Sequence, residues 1–103
     1  MAFVAAESRP VARERAFSAA TRRFPQAEFA IRKLMSHSEV FRDICEELAE
    51  AELALARVPE VPAALREARK TEWQELVDRL AAELAAALRE NEARRNRVIR
   101  QSD

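Results

Sequence analysis

The chain has 103 residues, none of them glycine and 22 of them alanine, and its 18 acidic side chains balance its 18 basic ones. The lack of glycine excludes the tight turns of strand hairpins and the phosphate-binding loops that depend on positive φ, while alanine is the strongest helix former. We therefore expect one small all-α domain whose zero net charge exerts no global attraction on nucleic acid or membranes.

Prolines divide the chain, because proline fits the first turn of a helix, where its missing N–H costs nothing. The first predicted helix spans about residues 9–23, after a disordered stretch 1–8 that ends in Ser8, a suitable N-cap. The second spans about 25–35, and Phe29 lies off its apolar face. The two faces comprise Ala12, Ala16, Ala20 and Phe24 on the first helix, and Ala27, Ile31, Leu34 and Met35 on the second.

The start of the third helix has the clearest local signal in the chain. Ser36 and Glu39 match the S-x-x-E capping box. Met35 and Val40 occupy the apolar staple positions around that box, and together these signals predict a helix over about 37–58. Its apolar residues alternate in steps of three and four, as in a helix packed lengthwise against others: Phe41, Ile44, Leu48, Ala51, Leu55 and Val58.

Two further prolines interrupt the helical pattern at 58–62, since each disfavours helical geometry in the residue before it. This segment is predicted to be the turn of a helical hairpin, followed by a fourth helix over about 62–90. The fourth helix has a broad apolar stripe of Leu65, Trp73, Leu76, Val77, Leu80, Ala81, Leu84, Ala87 and Leu88. Residues 91–103 are polar and arginine-rich, and they form either a helical extension or a basic tail.

The two long helices match in length and are predicted to form an antiparallel hairpin. A hairpin buries only one side of each helix. The wide apolar stripe of the fourth helix, and Phe29 and Leu53, which lie off the main apolar faces, therefore require a further surface to bury them. We predict that two chains associate into a four-helix bundle; the alternative is a monomeric bundle completed by the first two helices. The residues expected to form the core or the interface are Phe41, Ile44, Leu48, Leu55, Trp73, Val77, Leu80 and Leu84.

No group of residues has the composition of a catalytic, cofactor or metal site, so we expect a protein without enzyme activity and without a cofactor. His37 has apolar residues at the spacings where a metal site needs further ligands, and we interpret it as a surface residue. Cys45 has only Arg42 as a nearby cation and is interpreted as a core residue. An acidic ridge lacks the Glu-x-x-His motif of di-iron bundles and indicates a solvated face or a docking surface. The ridge comprises Glu39, Asp43, Glu46, Glu47 and Glu50.

Basic side chains concentrate at the two ends of the chain. Residues 1–37 contain seven basic and three acidic residues, 38–92 contain seven and fourteen, and 93–103 contain four and one. Such ends bind the phosphates of nucleic acid, an acidic partner, or the acidic middle of the same chain. The residues considered for these contacts are Arg22, Arg23, Arg94, Arg95 and Arg97. Because no base-stacking aromatic motif accompanies them, nucleic-acid binding is the second hypothesis.

A Phe-Pro pair opens the second helix, and apolar residues follow it at helical spacing: Phe24, Pro25, Ile31, Leu34, Phe41 and Ile44. This arrangement resembles the start of small bacterial YdcH-like proteins, in which a similar series leads through a short turn to a second helix. The resemblance extends over residues 24–88 at most. Three features of this chain depart from the family pattern: the additional N-terminal helix, the Pro-x-x-Pro turn, and the alanine- and arginine-rich fourth helix, which corresponds to the second helix of the family. The resemblance implies an α-hairpin of undetermined function and no catalytic residue.

We expect a cytoplasmic protein, since a lone cysteine fits a reducing compartment and no apolar run approaches the ~20 residues of a membrane helix. Residues 1–6 also lack the basic start of a signal peptide. The sequence thus predicts a small bacterial adaptor or regulator that self-associates as a homodimer and acts through protein–protein interaction. It does not identify the protein partner.

Overall fold

The structure, a computed structural model, describes residues 8–102 and contains four α-helices within that range. They are α1 (Ser8–Arg23), α2 (Glu28–His37), α3 (Glu39–Ala56) and α4 (Ala63–Ser102). Short 3₁₀ turns at Pro25–Ala27 and Val58–Glu60 precede α2 and α4. The all-α prediction is confirmed for the described residues, which include no strand. Of the stretch predicted to be disordered, residues 1–7 lie outside the described residues, and Ser8 belongs to α1.

The core is built around α3. Both α1 and α4 pack along it, and the short α2 packs against all three other helices. The clustered buried side chains are Ala16, Ala19, Ala20, Ile31, Met35, Phe41, Cys45, Leu48, Ala51, Val77, Leu80 and Leu84. The apolar faces predicted on the two long helices, α3 and α4, therefore bury each other within one chain.

α1 docks on this core through alanines. Ala16, Ala19 and Ala20 are fully buried, and small side chains of this kind allow two helices to approach closely. Ala16, Ala20 and Phe24 of the predicted face pack as expected. The placement of Ala12 on that face was wrong, because residues 10–15 are all exposed and the contact begins only at Ala16. Within a single chain, α1 and α2 thus fold back onto the long helices, which is the arrangement of the monomeric alternative.

A serine joins α2 to α3 without any glycine. Ser38 is extended (φ −127°, ψ 114°), and its hydroxyl oxygen accepts a hydrogen bond from the Phe41 N–H at 3.1 Å, which makes it the N-cap of α3. The Ser38 N–H donates to the Leu34 carbonyl at 2.8 Å and closes the end of α2. The Arg42 guanidinium donates to the Met35 carbonyl, another acceptor at that helix end.

The predicted helix start at His37, with a capping box of Ser36 and Glu39, was wrong. Ser36 stays in the last turn of α2, where its hydroxyl donates to the Arg32 carbonyl at 3.1 Å. Two serines two residues apart offer alternative boundaries, and the later one keeps Met35 in α2 and in the core. Burial of Met35 therefore outweighs the local box signature.

The predicted turn between the long helices is present, although α3 ends at Ala56 and not near residue 58. Val61 is extended (ψ 146°), as the following Pro62 requires. The Arg66 guanidinium, in the first turns of α4, donates to the Val61 carbonyl at 2.8 and 3.2 Å. Val58 is buried. These contacts fix the connection without glycine.

α4 is longer than any helix beside it. Its 40 residues span about 60 Å at 1.5 Å per residue, and the longest dimension of the molecule is 61 Å. Residues 63–72 and 92–100 are exposed throughout, so the predicted burial of Leu65 was wrong. The helix does not end near residue 90, so of the two alternatives predicted for residues 91–103, the helical extension is the one present up to Ser102. Because neither glycine nor proline occurs after Pro62, the helical extension forms and reaches Ser102.

Substitution of Ser38 tests the corrected helix boundary. Ser38→Ala is expected to lower the free energy of unfolding by about 1 kcal/mol, because the Phe41 N–H loses its acceptor. In the matched control Ser36→Ala, the change is expected to stay below about 0.5 kcal/mol, because that hydroxyl bonds only within its own helix. Urea unfolding followed by circular dichroism measures both. Equal losses would contradict the assignment of Ser38 as the N-cap.

A second pair of variants on α3 tests the core. Leu48 is fully buried and Leu53 is 42% exposed. Leu48→Ala is expected to cost about 2–5 kcal/mol of unfolding free energy, because it removes buried methyl groups and leaves a cavity. Leu53→Ala is expected to cost less than about 1 kcal/mol. Comparable denaturation midpoints for the two variants would show that α3 does not pack as described.

Candidate protein-binding groove

The side of α4 that faces the core continues beyond the last buried residue of the described range, Leu84. Asn91, Arg95 and Val98 follow Leu84 at successive steps of seven, four and three residues, so they lie on one side of the helix. From residue 92 to residue 100 every side chain is exposed. The core-facing side of α4 is therefore open to solvent for about two and a half turns, or roughly 14 Å.

The outer side of α2 forms the second wall of a groove beside this part of α4. The groove consists of two adjoining cavities that share Leu34, Asn91 and Arg95. The first is also lined by Phe29, Ala30, Lys33 and His37 of α2, and the second by Arg94, Val98 and Ile99 of α4. Phe29 is 70% exposed, and Val98 and Ile99 are 62% and 58% exposed. The groove thus gathers three of the large apolar side chains that the described chain leaves at its surface.

The rim of the groove is basic. The Lys33 ammonium lies 5.8 Å from the centroid of the Phe29 ring, which is a cation–π contact. Arg94 and Arg95 flank the apolar residues on α4. None of the lining residues is an aspartate or a glutamate. Exposed apolar surface and positive charge therefore occur together here.

The shape of the groove suits a peptide segment better than a small molecule. Its two parts have volumes of about 240 Å³ beside Phe29 and about 480 Å³ beside Val98 and Ile99. Most of their lining side chains are exposed, whereas a pocket for a drug-sized ligand encloses most of the ligand's surface. The walls of the groove are two helices, and each of them exposes apolar side chains. A third helix that lays an apolar face between two such walls is a common mode of recognition.

A second cleft, between α1 and α3, has a different character. It has a volume of about 610 Å³ and is lined by Glu14, Arg15, Ser18, Arg22, Ala49, Glu52, Leu53, Ala56 and Arg57. Glu52 accepts from Arg22 Nη2 at 3.1 Å and from Arg23 Nε at 2.8 Å. The cleft contains both acidic and basic side chains, and the Glu52 carboxylate already binds two guanidinium groups. The cleft therefore presents less net charge to a ligand than the groove does.

The structure separates the arginines that the sequence grouped together. Arg22 and Arg23 pair with Glu52 of the acidic middle of the same chain. Arg94, Arg95 and Arg97 lie exposed on the extension of α4, and the first two line the groove.

The eight residues predicted for the core or the interface all lie in or against the core of the single chain. Phe41, Leu48, Val77, Leu80 and Leu84 are buried. The other three, Ile44, Leu55 and Trp73, are partly buried and pack against the same cluster. Their apolar surface is used within the chain, so they do not form an open binding site.

The residues with chemical reactivity do not converge. Burial, with a smaller contribution from the Glu46 carboxylate, raises the pKa of the Cys45 thiol to about 12, which keeps it protonated. His37 is exposed, ends α2 and lines the groove. In the described part of the chain, no three His, Cys, Asp or Glu side chains are grouped so that they would hold a metal ion.

Sequence reasoning missed the pairing of α2 with the extension of α4. The sequence predicts only that Phe29 lies off the apolar face of the second helix, and it does not connect Lys33 or Leu34 with the C-terminal segment. A usable signal was present, because Val98 and Ile99 are apolar residues in an otherwise polar helical segment. What the sequence did not show is which surface lies beside them.

Comparison with known proteins found no match to a protein family, to a curated protein or to a solved structure. Within residues 8–102, no helix contains an apolar stretch of the length that a bilayer crossing requires. The residues of the groove are therefore the basis on which function is proposed.

The reactivity of Cys45 tests the burial of α3. Near pH 8, a disulfide reagent is expected to modify the folded chain at least about a thousandfold more slowly than the urea-unfolded chain. The reason is that a pKa raised from 9.0 to about 12 lowers the thiolate population by that factor. Absorbance of the released thiol measures both rates. Rapid labelling of the folded chain would contradict the described packing of Cys45.

Proposed function

We propose that this protein is a bacterial, cytoplasmic adaptor or regulator that acts by binding another protein and not as an enzyme. The observation that carries the proposal is the groove between α2 and the extension of α4, where Phe29, Val98 and Ile99 are exposed beside a basic rim. Contiguous exposed apolar residues rimmed by polar ones are typical of protein-binding surfaces. Aromatic side chains and arginine are also enriched in such interfaces.

Self-association belongs to the same proposal but needs its own surface. The two apolar faces expected to join two chains, on α3 and α4, are buried against each other. A homodimer would therefore use a face outside them. We also propose that α3 and α4 form an antiparallel hairpin. Their mutual packing and the short connection between them support that arrangement. The resemblance to YdcH-like proteins stays a prediction, since no match tests it.

Nucleic-acid binding is the second candidate function. The observation in its favour is that Arg94, Arg95, Arg97 and Arg100 are all exposed on one helical extension. Such a helix neutralises phosphates through counterion release. The exposed apolar residues beside these arginines favour a protein partner, because phosphate contacts do not require them.

Photocrosslinking in the source cell tests whether the groove binds a protein. A benzophenone amino acid replaces Phe29 in one variant and Val40 in another, because these side chains are 70% and 71% exposed and only Phe29 lines the groove. We expect a defined adduct from position 29 that mass spectrometry identifies, and none from position 40. An adduct with twice the mass of the chain would identify self-association. Failure to obtain a specific adduct at position 29 contradicts the proposal.

A further inference from the structure

We propose that the occupant of the groove is an acidic amphipathic helix of a partner protein. This inference rests on the proposed function and specifies the partner chemistry of the same site. It is drawn from the length of the open surface, from the kind of side chains it exposes, and from the sign of the charge around it.

The length of the groove sets the size of the occupant. The uncovered part of α4 extends for about two and a half turns, from residue 92 to residue 100. An occupant that lies along it needs three to four turns, which corresponds to roughly 11–14 residues. A helix of this length presents three or four apolar side chains on one face.

The apolar residues define how that face binds. Leu34 and Phe29 lie on α2 and Ile99 lies on α4, so apolar contacts are available from both walls. Leu34 is half-buried, and the Phe29 ring stands further out with the Lys33 ammonium near it. Apolar side chains at i, i+3, i+4 and i+7 of a third helix fit between two such walls.

The charge of the rim determines the polar face of the occupant. Lys33, Arg94 and Arg95 are exposed, and no carboxylate lines the groove. A partner with aspartate and glutamate beside its apolar stripe places opposite charges at the rim. A basic partner is repelled there, and such rim charges control specificity and association rate more than total affinity.

A second copy of this chain fits the groove less well. Its own α4 extension contains Arg94, Arg95, Arg97 and Arg100, so the pairing of two extensions brings like charges together. The acidic ridge of a second copy has suitable charge, but its large exposed apolar side chains, Val40 and Leu53, lie roughly 20 Å apart along α3 and form no continuous stripe. An independent helix supplies both the charge and the apolar stripe.

The test is a selection from a library of displayed helices on the full chain. Each 15-residue helix has apolar residues at i, i+3, i+4 and i+7, and the other positions are drawn from Asp, Glu, Lys, Arg and Ser. We expect the enriched helices to be acidic. Their affinity is expected to fall about tenfold in Phe29→Ser and about tenfold in Lys33→Glu with Arg95→Glu, and to weaken as salt is added.

Matched controls separate the groove from general effects. Val40→Ser removes an equally exposed apolar side chain outside the groove. Lys70→Glu with Arg79→Glu changes the same number of exposed charges on turns of α4 that do not line it. Both controls are expected to keep the affinity within twofold. Unchanged circular dichroism and melting in Phe29→Ser show that the fold persists.

The outcomes distinguish this inference from the proposed function. Helices that depend on Phe29 but show no acidic bias overturn the inference and leave a protein-binding groove. A library without any groove-dependent binder overturns both. Sedimentation that shows association abolished by Phe29→Ser makes a second copy the occupant. Binding of a DNA duplex that is lost in Lys33→Glu with Arg95→Glu, but kept in Phe29→Ser, makes nucleic acid the ligand. Either of the last two results overturns the inference.

Discussion

α3 is packed by α4 on one side and by α1 on another, and the two contacts differ in kind. α4 contributes branched side chains such as Leu80 and Leu84, which fill volume and remove large apolar areas from water. α1 contributes three buried alanines, each with a single methyl group worth on the order of 0.8 kcal/mol, and the partly buried Phe17. The arginines that bind Glu52 add about 0–1 kcal/mol each because they are partly exposed. The contact with α4 therefore buries branched side chains against α3, whereas the contact with α1 combines close helix approach with one aromatic ring.

The same arrangement explains why the molecule is elongated. α1, α2 and α3 have 16, 10 and 18 residues, whereas α4 has 40, so both ends of α4 extend beyond its neighbours. The radius of gyration is 16.4 Å, where a compact chain of this length has about 13 Å. The N-terminal end of α4 exposes Leu65 as its large apolar side chain. At the C-terminal end the core-facing side continues beside α2 and creates the groove.

Local signals predicted the parts of this protein that depend on neighbouring residues in the chain. The turn before Pro62 was predicted correctly because proline restricts the residue before it wherever it occurs. The face of α2 through Ile31 and Met35 was also predicted correctly, because its apolar spacing has no strong competitor. The N-cap was not, because Ser36 and Ser38 both suit the position and only the packing of Met35 distinguishes them. The candidate site was predicted in fragments, as an apolar residue off the main face and a basic C-terminal segment.

By itself, the sequence determined that the described chain is helical and where most helices bury their apolar faces, because both properties follow from residue type and spacing of three and four. Only the tertiary structure decided what covers each face, since that depends on which surfaces meet in space. It placed alanines of α1 on α3, a face for which the sequence left open either a second chain or the first two helices, and it left the C-terminal side of α4 uncovered beside α2. An apolar stripe on a helix shows that one face must be buried. It does not show which segment of the chain, near or distant in sequence, buries that face.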